Sequence, residues 1–198
     1  CTARRVIGRR ALPAMAFASH FTKVHAVKGA PNVVLFMVDD QDQWDFGAYG
    51  NPQVSTPTID ALGAAGIRFT HAFTTMAICA PSRASVLTGV YPMRHGVIAN
   101  HYLLRAEVPS LPNLLRPLGY RTYLMGKHHG LGPGVHFDGH SLNMSFDFVK
   151  RVIDGPRPFC LVAWSYYPHL ENGGYPHVEG GRPITWGPPL MPGHLPRP

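Results

Sequence analysis

Three apolar runs, each ending in a knot of polar residues, constrain this chain more than anything else in it. "NVVLFMV" (residues 32–38) runs into Asp39 and Asp40, and "YRTYLMG" (120–126) into Lys127, His128 and His129. "PFCLVAWSYY" (158–167) runs into Pro168 and His169. Short apolar, β-branched and aromatic runs of this kind predict strands buried on both faces. Helical patterns lie between them. In "STPTIDALGAAG" Thr56 can cap, Pro57 fits the first helical position and Gly66 ends the helix. Pro81 to Thr88 predicts a second helix closed by Gly89, Ser110 opens a third in "LPNLLRPLG", and "SLNMSFDFVKRVIDG" (141–155) is amphipathic. Strands alternating with helices predict an α/β fold, a largely parallel sheet flanked by helices. In open parallel sheets ligands bind beyond the carboxyl ends of the strands. Three strand ends therefore deliver two carboxylates, a lysine and histidines to one edge.

Charge narrows the partner. The formal net charge is +7 over 198 residues, but the basic residues are scattered and no basic stripe is interleaved with aromatics, which argues against nucleic acid. A positive balance suits an anionic substrate. Three cysteines, Cys1, Cys79 and Cys160, are too few and odd in number for a disulfide framework. No apolar run is long enough to span a bilayer. Residues 1–30 form a basic leader: Arg4, Arg5, Arg9 and Arg10 precede "ALPAMAFA", as in an export signal, with Pro13 interrupting the run. Export and a cytoplasmic location both stay open. Residues 170–198 are Pro- and Gly-rich, with no further strand or helix.

The run "ICAPSRASVLTG" (78–89) sets a cysteine at the mouth of a helix, two residues before a proline and four before an arginine. "CAPSRASVLTG" resembles the sulfatase signature C-x-P-S-R-x-x-x-L-T-G at every fixed position. "NVVLFMVDD", "TPTIDALGAAGIRFTHAF", "GYRTYLMGKHH" and "PFCLVAWSYYPH" follow the order of that family, so residues 31–169 resemble the N-terminal part of its catalytic domain, which is of the alkaline phosphatase type. The resemblance implies that Cys79 is oxidised by a formylglycine-generating enzyme to an aldehyde. The hydrate of that aldehyde attacks sulfur with one oxygen and expels sulfate through the other. It implies that Asp39 and Asp40 are metal ligands, together with the residue derived from Cys79, for Ca²⁺ or Mg²⁺. Arg83 would orient the diol and Lys127 would bind a sulfate oxygen. His129 would help deprotonate the diol, the His128–His129 doublet leaving that choice open. His169 would contact sulfate or protonate the leaving group. Helix N-terminal N–H groups would add to anion binding.

Residues 110–133 and the run before "RPFCLVAWSYYPH" most resemble heparan N-sulfatase-like enzymes, which points to a sulfated carbohydrate as the partner. The family's later strand ending in Asp-Asn or Asp-His has no counterpart here, so the chain reads as truncated. Two alternatives follow: a phosphonate or phosphate monoester hydrolase of the same superfamily, or a noncatalytic anion-binding remnant. Two further expectations come from the residues themselves. Adjacent carboxylates repel, so loss of Asp39 or Asp40 should slightly stabilise the metal-free fold. Cys160 is core, and His95 and His101 are surface or rim residues.

Overall fold

A computed structural model describes residues 29–166; Cys1, the rest of the basic leader, His169 and the segment 170–198 lie outside them. The sheet is built around β4 (Phe159–Trp164), whose six residues, FCLVAW, are all buried. It is buried because it is central, paired in parallel with β1 (Val33–Met37) on one side and β2 (Arg121–Gly126) on the other. A short strand, Gly139–Ser141, extends the sheet beyond β2 and pairs with it in parallel through Tyr123, Leu124 and Met125. With this strand called β3, the order is β1-β4-β2-β3. Parallel neighbours need crossover connections, which carry helices over the sheet.

Those helices are α1 (Pro57–Ala65), α2 (Cys79–Thr88), α3 (Pro92–His95), α4 (Leu111–Leu115) and α5 (Phe146–Asp154). Alternation along β4 divides the core in two. Phe159, Leu161 and Ala163 pack with Met125 and with Phe148 and Val152 of α5. Cys160, Val162 and Trp164 point to the other face, where Leu87 of α2 and Leu124 join them. Cys160 is core, as its sequence context predicts, and burial pushes its thiol up to about 11.

Four sequence expectations need correction. β1 is not buried on both faces: it has only one partner strand among the described residues, and Val34 and Phe36 are 61 % and 56 % exposed. The amphipathic helix does not start at Ser141, which belongs to β3. It starts at Phe146, where the Ser145 hydroxyl accepts the Phe148 N–H at 3.3 Å. The signature helix starts at Cys79, two residues before Pro81. Thr56 does precede α1 but does not cap it; its hydroxyl accepts the Gly47 N–H and donates to Asp60 Oδ1, both at 2.8 Å. Among the described residues no helix is long and apolar enough to cross a membrane.

Candidate active site

The carboxyl ends of β1 and β2 and the first turns of α2 meet at one carboxylate. Asp39, two residues past β1, accepts hydrogen bonds from Arg83 Nη2 on Oδ1 and from Lys127 Nζ on Oδ2. The three side chains come from segments 44 and 88 residues apart in sequence, and all three are buried. Two cations against one carboxylate leave the cluster one positive charge in excess. Buried charge without full compensation is costly, so the cluster is built to attract an anion. Arg83 shows where: its Nε and Nη1 are buried and have no hydrogen-bond partner among the described residues, while its guanidinium lies over the Trp164 ring at 4.7 Å.

Cys79 opens α2 beside this cluster, partly exposed, with its Sγ 3.6 Å from Lys127 Nζ. Two glycines make that approach possible. Gly126 has φ +88°, and a Cβ there would lie 1.9 Å from the Trp164 carbonyl oxygen; any side chain would push Lys127 off the end of β2. Gly130 has φ +79° and sits against Ala80, where a Cβ would meet the backbone oxygen at 2.8 Å. The loop after Lys127 is thus packed onto the helix that carries Cys79.

The histidine doublet divides. His129 is exposed, and its imidazole is held below the ordinary histidine range by burial first and then by the positive charges of Lys127 and Arg83, Asp39 opposing them. His128 turns toward β3 instead, edge-on to His140 at 5.9 Å, with its Nε2 buried and unpartnered. Burial and the His140 charge lower its pKa. His129 is therefore the member of the doublet in the field of the cluster. Asp40 is exposed and left-handed, with φ +52°.

Two expectations change here. His95 is not a surface residue; it is fully buried against α2. The relief of repulsion expected on losing Asp39 also reverses, because Asp39 faces two buried cations. Sequence reasoning missed Asn100, whose Oδ1 accepts the N–H of Ala80 at 3.1 Å. A signal for it exists: the residue before Cys79 is isoleucine, which cannot cap a helix, so an acceptor has to come from elsewhere.

As to a metal, adjacent carboxylates at one strand end suit a hard cation in kind. In number they fall short. Among the described residues no group of three or more His, Cys, Asp or Glu side chains could hold a metal ion, and both Asp39 oxygens are engaged by cations.

The sulfatase family model matches residues 31–149. The chain belongs to the sulfatase family. It is 38 % identical over 177 residues to the ulvan-active sulfatase of Formosa agariphila, covering 81 % of this chain and 34 % of that protein. It is 36 % identical over 169 residues to the N-acetylgalactosamine-6-O-sulfatase of Bacteroides thetaiotaomicron, covering 78 % of this chain and 32 % of the relative. This sulfatase chain thus spans about a third of the length of those curated relatives. The fold is shared with a protein solved in complex with its substrate D-glucosamine-2-N,6-O-disulfate, at TM-score 0.65 and 24 % identity over 70 % of this chain and 35 % of that one. It is also shared with the phosphonate monoester hydrolase of Agrobacterium radiobacter, at TM-score 0.62 and 22 % identity over 71 % and 42 % of the two chains.

Proposed function

We propose that the protein hydrolyses sulfate esters or sulfamates on carbohydrates, with Cys79, converted to formylglycine, as its nucleophilic centre. One observation carries this reading: Cys79 lies 3.6 Å from Lys127 Nζ, beside a buried guanidinium with two unpartnered nitrogens. That is a nucleophile position facing a ready anion receptor. The carbohydrate part draws its support from relatives named for ulvan and for N-acetylgalactosamine 6-O-sulfate.

Each residue then has a task. Arg83 offers Nε and Nη1 to the anionic group, and Lys127 places a point charge on the same side as residue 79. His129, whose pKa is lowered by burial first and then by the charges of Lys127 and Arg83, would accept a proton at the exposed edge of the site. His169, beyond the described residues, would serve the leaving group. The hydrated aldehyde at position 79 supplies a nucleophile that can also release the sulfate it captures. Asp39 and Asp40 would hold Ca²⁺ or Mg²⁺ only with further ligands from outside the described residues, since they fall short of a site by themselves; such an ion would supply Lewis-acid polarisation of sulfate.

The test is expression with a formylglycine-generating enzyme, followed by mass spectrometry of the peptide spanning Cys79. An aldehyde should appear there and take an aldehyde-selective label; Cys79→Ala should abolish the label and Cys160→Ala should keep it. Unmodified thiol alone, where a control sulfatase is converted, overturns the reading. Matched sulfate, sulfamate and phosphate model substrates then separate sulfatase from phosphomonoester or phosphonate chemistry, and no turnover of any of them by the matured, metal-loaded protein would leave an anion-binding role.

A further inference from the structure

The first turn of α2 is short of acceptors and nearly empty of donors. Helix N-caps are ordinarily Ser, Thr, Asp or Asn, whose side-chain oxygen takes a first-turn N–H; here the N-cap is Ile78, with no side-chain bond. Pro81 has no N–H at all, and the Ser82 N–H already bonds the Ile78 carbonyl at 3.0 Å. That leaves the N–H groups of Cys79 and Ala80. Ala80 is fully buried, so its N–H needs a protein acceptor. Asn100 Oδ1, 20 residues further along the chain, accepts it at 3.1 Å.

Asn100 reaches this spot because the loop carrying it is rooted on α2 itself. His95 Nδ1 accepts the Val97 N–H at 3.1 Å, which puts the imidazole proton on Nε2. That nitrogen faces Ser85 Oγ at 3.0 Å. Thr75 donates to the same Ser85 oxygen at 2.7 Å. Val97 is fully buried and packs with Ala80, Ala84 and Leu104. The loop leaves α2 at His95 and its tip returns at Asn100.

We propose that Asn100 is a positioning residue: its amide oxygen takes the Ala80 N–H out of play, so the helix end does not compete with Arg83 and Lys127 for the anionic group of the substrate. A free N–H at a helix N-terminus is an anion site in its own right. Closing it draws the anion to the side of residue 79 where Lys127 stands. This narrows the expectation that free N–H groups of the helix bind sulfate to the N–H of Cys79, and it rests on Cys79 being the reactive centre.

The experiment uses the full chain with its Cys79 thiol unmodified and inorganic sulfate as the probe, read by amide NMR. In the wild type the Ala80 N–H should be protected from exchange and should not respond to sulfate, while signals of Arg83 and Lys127 do. Asn100→Leu, which keeps the side-chain volume, should raise Ala80 exchange about tenfold, the worth of one hydrogen bond, and make the Ala80 signal sulfate-responsive. Asn100→Asp keeps the acceptor and should restore protection. Asn100 is exposed, and Asn100→Ala stands in should the Leu variant not fold. Unchanged Ala80 exchange without the acceptor overturns the proposal. So does a sulfate response at Ala80 in the wild type, or no sulfate response anywhere in the variants. Because the thiol form is used, absence of aldehyde at Cys79 sinks the proposed nucleophile without touching these readouts, and the converse also holds.

Discussion

Two helices of similar length, α5 and α2, pack on opposite faces of the same sheet and are held there by different physics. α5 lays Phe148 and Val152 onto Met125, Phe159, Leu161 and Ala163. Its own Ser145 caps it, and an exposed Lys150–Asp154 pair at 2.7 Å spans one turn of its outer face. α2 has no apolar stripe and no cap of its own. It is buried through small residues, through Arg83 bonded to Asp39, and through Asn100 reaching in from another loop. An apolar stripe holds a helix wherever an apolar surface is offered. A buried charge holds it only where its partners stand. α2 gives up generic stability for a fixed place, and the site uses that place.

The comparison can be broken by mutation, beginning with the largest expected effect. Asp39→Ala removes the carboxylate that both Arg83 and Lys127 bond, and should cost about 3–5 kcal/mol by leaving buried cations uncompensated. The denaturation midpoint checks it; a variant as stable as the wild type would mean that α2 is not held by charge. Asp40 is exposed, so Asp40→Ala should cost far less than Asp39→Ala in the same denaturation experiment. On the other face, Phe148→Ala should cost about 3 kcal/mol through lost burial and a cavity. Lys127→Ala serves as its counterpart: sulfate binding should weaken in that variant and stay at the wild-type level in folded Phe148→Ala.

Acid should act on the site side only. His95, His128 and His129 all have pKa values below the ordinary range, in each case by burial first. The unfolded chain therefore takes up protons before the folded one as pH falls below about 6.5. Stability contributed by these groups is complete above that pH and declines below it, until the folded-state values are passed. Melting temperatures across pH 5–8 should show the decline, and His95→Gln should flatten it. Ser145→Ala should cost about 1 kcal/mol by uncapping α5. Smallest of all, Lys150→Ala should cost about 0.3–0.5 kcal/mol, since the pair is exposed.

The same contrast explains what the sequence made legible. α5 was visible as a helix because burying one face imposes a period, but its start was not, since Ser141 to Met144 carry apolar residues in no helical order that the sheet does not also accept. β3 escaped because three residues, Gly-His-Ser, hold no pattern; only the edge of β2 makes them a strand. β1 and β4 look alike in sequence, yet an edge strand and a central strand differ by their neighbours alone. α2 was legible as a helix over Pro81 to Thr88, but its burial was not, because that rests on contacts with Asp39 and Asn100 that no local period encodes. That Asp39 and Lys127 lie at one edge followed from reading strand ends in a parallel sheet; Cys79 and Arg83 joined them only through the family resemblance. The tether at His95 did not, since a histidine beside a glycine looks like a surface turn until its ring is seen inside.

Trp164 gives the chain an optical voice. Its indole is fully buried, has no acceptor for its N–H among the described residues, and lies under the Arg83 guanidinium at 4.7 Å. Indole emission follows the electric field across the ring, and here one cation dominates that field. An anion settling on the free nitrogens of Arg83 offsets the charge, so the colour and brightness of the fluorescence follow occupancy without any attached dye. Trp44 and Trp186 supply the background against which that one ring reports.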